Sequence, residues 1–200
     1  MADFLAHLES YLALAAAALA CGSAAGVPFG IAASQISSLR APLLSIANVG
    51  RVIPSLAILT FMVPLFGLGF KPALIALALL AIPPIAINTD LGFRNVSPAT
   101  IDAARGLGMT QVQVLSRVQW PLAFPVVFTG IRTAAAEVIA SAVLAAFIGA
   151  GGLGEYVTTG LQANQPAVLW LGVGSIAVIA LAAEFLLAFL QRRLAREVQT

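Results

Sequence analysis

One cysteine, Cys21, and one histidine, His7, are all that the 200 residues contain of either type. Cys21 has no partner for an internal disulfide, and a Cys/His metal cluster is excluded. A Ser/His/Asp catalytic set finds no support, because His7 lies in the amino-terminal segment, and no two acids share a helix face at a spacing suited to hydrolysis. An intramembrane hydrolase or transferase is therefore disfavoured, and no cofactor or metal is expected in this chain. Lysine occurs once, as Lys71 followed by Pro72, so the run GAGGLG at residues 149–154 lacks the GK[ST] ending of a phosphate-binding loop. Charged residues make up only 9% of the chain. The net charge of +2 comes from basic residues scattered among apolar runs, which form no patch able to track a nucleic-acid backbone. The first ten residues carry Asp3 and Glu9 but no Lys or Arg, which speaks against a secretory leader.

What the chain has in abundance is apolar sequence: 60% hydrophobic residues and a mean hydropathy of +1.01. Such a composition belongs to an integral membrane protein. At about 20 residues per crossing, the length supplies about five or six spans and no appended soluble domain. The expected architecture is all-α and polytopic, a single transmembrane domain over residues 1–200 with spans near 11–33, 43–68, 72–88, 122–148 and 167–190. Gly22, Gly26 and Gly30 give the first span a smooth face for a neighbouring helix, and Cys21 is expected beside it as a small buried residue. Pro54 and Pro64 predict a kink in the second span that faces protein or a water-filled path. Pro83-Pro84 predicts a second kink, in the third span. Residues 34–41 read as a polar connector, residues 149–154 as a flexible turn, and residues 155–162 as a short interfacial helix.

Arg40, Arg94, Arg105, Arg117, Arg192, Arg193 and Arg196 fall on one side of these spans, and Lys71 alone on the other. The positive-inside rule then puts the carboxyl terminus in the cytoplasm and the amino terminus outside. Arg51 and Arg132 lie within spans near their ends, where their stems can snorkel to the interface. Glu137 lies near the middle of the fourth span, where an ionised carboxylate is costly and marks a functional candidate by default. It is expected on a protein-facing or path-facing side with Thr133 and Ser141, either lining a water-filled path or holding two helices together by a hydrogen bond. Asn88 and Asp90 are expected to shape the loop that follows the third span.

Between the apolar blocks, residues 98–121 form a polar island. Residues 101–108 read as a short helix, with Asp102 in its first turn where a negative charge suits the helix dipole, and with Gly106 and Gly108 weakening its far end. Ala103 and Ala104 make a small knob suited to close docking. An amphipathic connector lying on the lipid surface would have a similar look.

The pattern extends further. Asp102-Ala103-Ala104, then Gly108 after three residues, Val118 after nine more, and Trp120-Pro121 after one more closely resembles the EAA loop of permease subunits in binding-protein-dependent ATP-binding cassette (ABC) importers. That loop reads Glu-Ala-Ala, three residues, Gly, nine residues, Ile, one residue, Leu-Pro. This chain departs from it by Asp for Glu, Val for Ile and Trp for Leu. IPSLAILTFMVPLFGLG at 53–69, GIRTA at 130–134 and AAFIGAGGLGEYVTTGL at 145–161 are similar to the osmoprotectant group, which handles glycine betaine, choline and carnitine.

The resemblance implies an inner-membrane permease subunit whose coupling helix, carrying Asp102, Ala103, Ala104, Gly106, Gly108 and Pro121, receives the stroke of ABC ATPase subunits. ATP and magnesium would sit on those partners. It further implies an extracytoplasmic binding protein and a second permease subunit, a homodimer being the simplest arrangement. A permease for another small zwitterion or amino-acid-like solute shares these features. A nucleotide-independent secondary transporter or membrane scaffold would have no use for the knob.

Overall fold

The computed structural model describes the backbone of residues 2–197; residues 1 and 198–200, the extreme ends of the expected domain, lie outside the described residues. Among the described residues there are nine α-helices and no strand, as the apolar blocks and their lengths required.

Helix α1 (Ala2–Gln35) begins at the second residue, well before the expected span. At about 1.5 Å per residue it is about 50 Å long, more than the ~30 Å hydrocarbon layer needs. Its glycine face lies on α4 (Phe70–Arg94). A Cβ at Gly22 would stand 2.4 Å from the Ala81 Cβ, and one at Gly30 would stand 2.5 Å from the Ala86 carbonyl oxygen and the Thr89 Cβ. Cys21, expected to be buried, is exposed, because the glycines take the inward face and turn it outward.

Helix α4 runs unbroken through Pro83-Pro84, where a kink was expected. The side chains of Asn88 and Thr89 donate to the Pro84 and Ile85 carbonyls at 2.8 and 2.7 Å, and the prolines themselves are buried between neighbouring helices. On its other flank α4 meets α7 (Trp120–Ala142), where Gly92 and Gly130 allow similar close approach. Helix α4 is thus the axis of the bundle, with Leu77, Ile85 and Thr89 wholly buried.

The expected second span departs most from the sequence reading. In place of one kinked helix and a preceding connector, α2 (Ser37–Val52) and α3 (Ser55–Phe66) meet at 97°. Pro54 holds its preceding residue out of the helical region. Ile53 (φ −71°, ψ 124°) and Pro54 (φ −58°, ψ 134°) are accordingly both extended, and α3 restarts on the Pro54 carbonyl. Two consecutive extended residues turn the chain where a single proline inside a helix would only bend it.

At the far end, Gly69 N–H donates to the Ile148 carbonyl, joining the α3–α4 turn to the 3₁₀ stretch Val143–Ile148 that prolongs α7. Gly149, Gly151 and Gly152 follow with φ of 74°, 76° and 81°, a left-handed run that reverses the chain into α8 (Gly154–Gln162). Helix α9 (Pro166–Glu197) then crosses the outside of the bundle, exposing Trp170, Leu171, Phe185 and Leu186.

Overpacking a tight core costs about 1–3 kcal/mol. Gly30→Val is therefore expected to lower the melting temperature of the purified protein in detergent, read by size exclusion after heating. Gly174→Val, at a position with nothing within 4 Å of its Cβ, is expected to leave it unchanged. Equal melting of the two variants would contradict the α1–α4 contact.

Candidate functional site

At one end of the bundle, Ser97 and Pro98 start α5 (Pro98–Gly106) three residues before the expected helix. Pro at the first helical position has no N–H to leave unpaired and is preset for the helix. The Ser97-Pro98 pair was legible in the sequence as a start signal. Asp102 consequently lies beyond the first turn, so the dipole argument for it does not hold. Asp102, Ala103, Gly106 and Leu107 are exposed, Leu107 at 83%. Ala104, expected in the outward knob, is buried at 6% in a helix that packs against the following segment.

Gly108 is left-handed at φ 80°, which a glycine accommodates best. Thr110 then caps the next helix reciprocally: its hydroxyl accepts from the Gln113 N–H, and the Gln113 side chain accepts from the Thr110 N–H at 2.8 Å. From there α6 (Gln111–Gln113), a π-helical stretch (Val114–Gln119), α7 and the 3₁₀ stretch continue as one rod, Gln111–Ile148. The polar island 98–121 is thus helical except at residues 107–110, where only a short helix over 101–108 had been expected within a loop. Pro121 lies in the first turn of α7. Trp120 packs its ring 6.0 Å from Phe93 of α4 and 6.1 Å from Phe124, which gives the Trp that replaces Leu a structural place. Behind α5 a polar cleft of about 340 Å³ is lined by Ser34, Gln35, Arg94, Asp102, Arg105 and Gln119.

Charged side chains elsewhere meet across helices. Arg40 of α2 donates to both carboxylate oxygens of Asp90 at 3.3–3.4 Å, with Asp90 only 3% exposed. Asp90, expected at the end of the third span to shape the loop that follows, instead braces α2 against α4. Arg132, expected to snorkel, instead donates to Glu184 and Gln191 of α9. His7 contacts Glu155 at 2.8 Å, joining α1 to α8. Glu137 and Arg51 approach to 3.6 Å, both partly exposed, at the bend that ends α2. Thr133 and Ser141 flank Glu137 half-buried, and the Thr133 hydroxyl donates to the Thr129 carbonyl at 3.0 Å. The structure thus brings Glu137, Thr133 and Ser141 onto one stretch of α7 and sets them apart from the α5 group. Sequence reading missed Arg51, Glu184 and Asp90 as partners, since nothing local marks contacts between residues 50 or more positions apart.

Long apolar helices, one bent pair and a helical loop gathered at a single end describe a multi-pass membrane transport subunit. Residues 26–199 match the family described as binding-protein-dependent transport system inner membrane component, and the chain belongs to that family. Such a subunit works with a separate ATPase and a substrate-binding protein and resides in the inner membrane. It is 35% identical over 96% of its length to the choline transport system permease protein OpuBB of Bacillus subtilis (strain 168), covering 88% of that protein. The carnitine transport permease protein OpuCB of Listeria monocytogenes is 38% identical with the same coverage of both chains. The osmoprotectant import permease protein OsmW of Salmonella typhimurium is 37% identical over 95% of this chain and 91% of its own. A solved chain of the MetNI methionine ABC transporter superposes with a TM-score of 0.82 over 99% of this chain and 97% of its own; at 23% identity this is a likeness of fold.

Arg40→Met leaves the buried Asp90 carboxylate without its partner, whereas Asp90→Asn leaves an Arg40 side chain that is 40% exposed and can reach water or a headgroup. An unsatisfied buried polar group costs about 1–3 kcal/mol. Arg40→Met is therefore expected to melt at the lower temperature of the two. Equal melting would mean that the ion pair does not brace α2.

Proposed function

We propose that this chain is the membrane-spanning permease subunit of an ATP-driven importer for small osmoprotectants such as glycine betaine, choline or carnitine. The substrate class is supported by the relatives that transport choline and carnitine at 34–38% identity over nearly the whole chain. Five crossings serve the reading: α1, the bent α2–α3 pair, α4, the rod ending in α7, and α9. The α5 end faces the cytoplasm, as the distribution of Arg and Lys requires. Two copies pair around a translocation path, and ATP with magnesium binds on the ATPase partners.

The observation that carries the coupling role is the outer surface of α5. Leu107 stands 83% exposed at its end, and Ala103 and Gly106 are exposed along it. A Cβ at Gly106 would meet nothing of this chain, so its smoothness serves an approach from outside. An ATPase docking there would push on α5 and, through its contact with the π stretch, on the whole rod. Alternating access then follows from two arrangements that the ligands at the two faces bias.

Leu107→Glu and Ala103→Trp alter that surface without entering the fold, unlike changes at the buried Ala104. Each is expected to reduce ATP-driven uptake at least about tenfold, a loss of ~1.4 kcal/mol in coupling, with normal insertion and melting. Wild-type uptake in both would place the coupling surface elsewhere. Orientation has its own test in a Cys21→Ala background. Cysteine at Thr159 is expected to react with a membrane-impermeant thiol reagent from outside, and cysteine at Ser116 only after the membrane is opened. The reverse pattern would overturn the orientation.

A further inference from the structure

The four ion pairs among the described residues differ in tightness, and one of them is loose. Arg132 and Glu184 are held by two guanidinium N–H donors and supported by Gln191, whose amide also bonds Thr129 and the Pro125 carbonyl. Arg40 and Asp90 share three hydrogen bonds around a buried carboxylate. His7 and Glu155 are hydrogen-bonded at the far end. Arg51 and Glu137 stand 3.6 Å apart with no hydrogen bond recorded between them, and their side chains are 45% and 38% exposed.

Glu137 lies eleven residues before Ile148 at the far end of the rod. At about 1.5 Å per residue in α7 and about 2.0 Å in the 3₁₀ stretch, that is roughly 20 Å, well inside a ~30 Å hydrocarbon layer, and Arg51 shares this depth through its contact with Glu137. Two partly exposed charges at that depth are not left against lipid tails. The α7 surface beside them is small and weakly polar, with Thr129, Ala136 and Ala140 exposed and Thr133 half-buried. The outer face of α9 shows the contrast, presenting Trp170, Leu171, Phe185 and Leu186 as a lipid-facing surface does. The Arg51–Glu137 side of α7 therefore faces protein or water.

We propose that Arg51 and Glu137 form a relay site for a zwitterionic solute within the membrane, the guanidinium taking the solute's carboxylate and Glu137 facing its quaternary ammonium. The inference rests on the osmoprotectant reading above and deepens it by assigning the residues that meet the substrate. A quaternary ammonium has no N–H to donate, so it needs a facing negative charge more than a hydrogen-bond acceptor. A carboxylate is matched by the guanidinium fork. When the solute enters, one ion pair is exchanged for two, and when it leaves the protein's own pair closes again. No bare charge is left at that depth in either state. The loose geometry suits such an exchange, and the hydrogen-bonded pairs elsewhere do not.

The test uses the complete complex, with its ATPase and binding protein, reconstituted in proteoliposomes and assayed for glycine betaine and choline uptake. Arg51→Gln and Glu137→Gln are each expected to cut glycine betaine uptake at least tenfold, with assembly and melting temperature at wild-type values. Choline has no carboxylate, so its uptake is expected to fall in Glu137→Gln and to stay within about twofold of wild type in Arg51→Gln. Unchanged glycine betaine uptake in either variant overturns the proposal. So does a loss of uptake that tracks a loss of melting temperature and is restored in the charge-reversed double variant R51E/E137R, since that is the behaviour of a structural brace. Wild-type complex that carries neither compound removes the osmoprotectant reading and this proposal with it. Wild-type uptake of glycine betaine with indifferent variants removes the proposal alone.

Discussion

The close approach of α4 to α1 and α7 is the contact on which the rest of the structure depends. Inside a bilayer, lipid tails are as apolar as leucine, so helices gain little from burying oil and must associate through backbone proximity and van der Waals contact. Gly22, Gly26 and Gly30 on one flank of α4, and Gly92 with Gly130 on the other, supply that proximity. With α4 enclosed on both flanks, the helix continues through Pro83-Pro84 without a break. The remaining helices arrange themselves around this axis. The bend between α2 and α3 lets two shorter helices follow its surface, and a Cβ at Gly50 would stand 3.3 Å from the Pro83 ring.

Charge is the second organiser. Arg40–Asp90, Arg51–Glu137 and Arg132–Glu184 each join two different helices at depths where an isolated charge is costly. Pairing keeps the ions in a poor solvent and ties α2 to α4, α2 to α7, and α7 to α9. Of these ions only Asp90 is buried, and removing the partner of a buried ion is expensive. Arg40–Asp90 and the multiply hydrogen-bonded Arg132–Glu184 therefore act as register pins. The variation among them separates those that pin from the one that remains open to exchange.

How much of this could be read from the chain divides along a physical line. The all-helical membrane class followed from hydropathy, and the importer family from the spaced Asp102 to Pro121 pattern with its three supporting stretches. The glycine face of α1 was visible as a four-residue repeat. Local signals were misjudged where two rules competed. Ile53-Pro54 was taken as a proline kink within a helix, although the constraint on the residue before proline makes a break. Ser97-Pro98 was passed over as a start, which misplaced Asp102 relative to its helix. The inward turn of Ala104 depends on what α5 packs against, and a pattern of small residues does not say which of them faces out. Arg132 looked free to snorkel because its partners lie on α9, out of reach of any local rule.

Helix α5 and the rod that carries Glu137 are in contact, and that bears on how a push could become transport. Helix α5 is separated from the rod by the Gly108 turn, but it packs against the π stretch with Ala104 buried. The wider π register meets Pro121, which has no N–H to give the preceding turn, and Trp120 instead donates to the Leu115 carbonyl. A π-helical turn is a rare and adjustable register, often retained where a helix must shift. Beyond it, α7 and its 3₁₀ extension continue without a break to Ile148, whose carbonyl holds the Gly69 turn. A displacement received at α5 would therefore be passed along one continuous helical rod that carries Glu137. Arg51 is carried on α2, whose brace is Asp90 of α4, and α7 itself packs closely on α4. The pair with the loosest geometry thus joins the rod that a partner would push to a second helix held by the same axis.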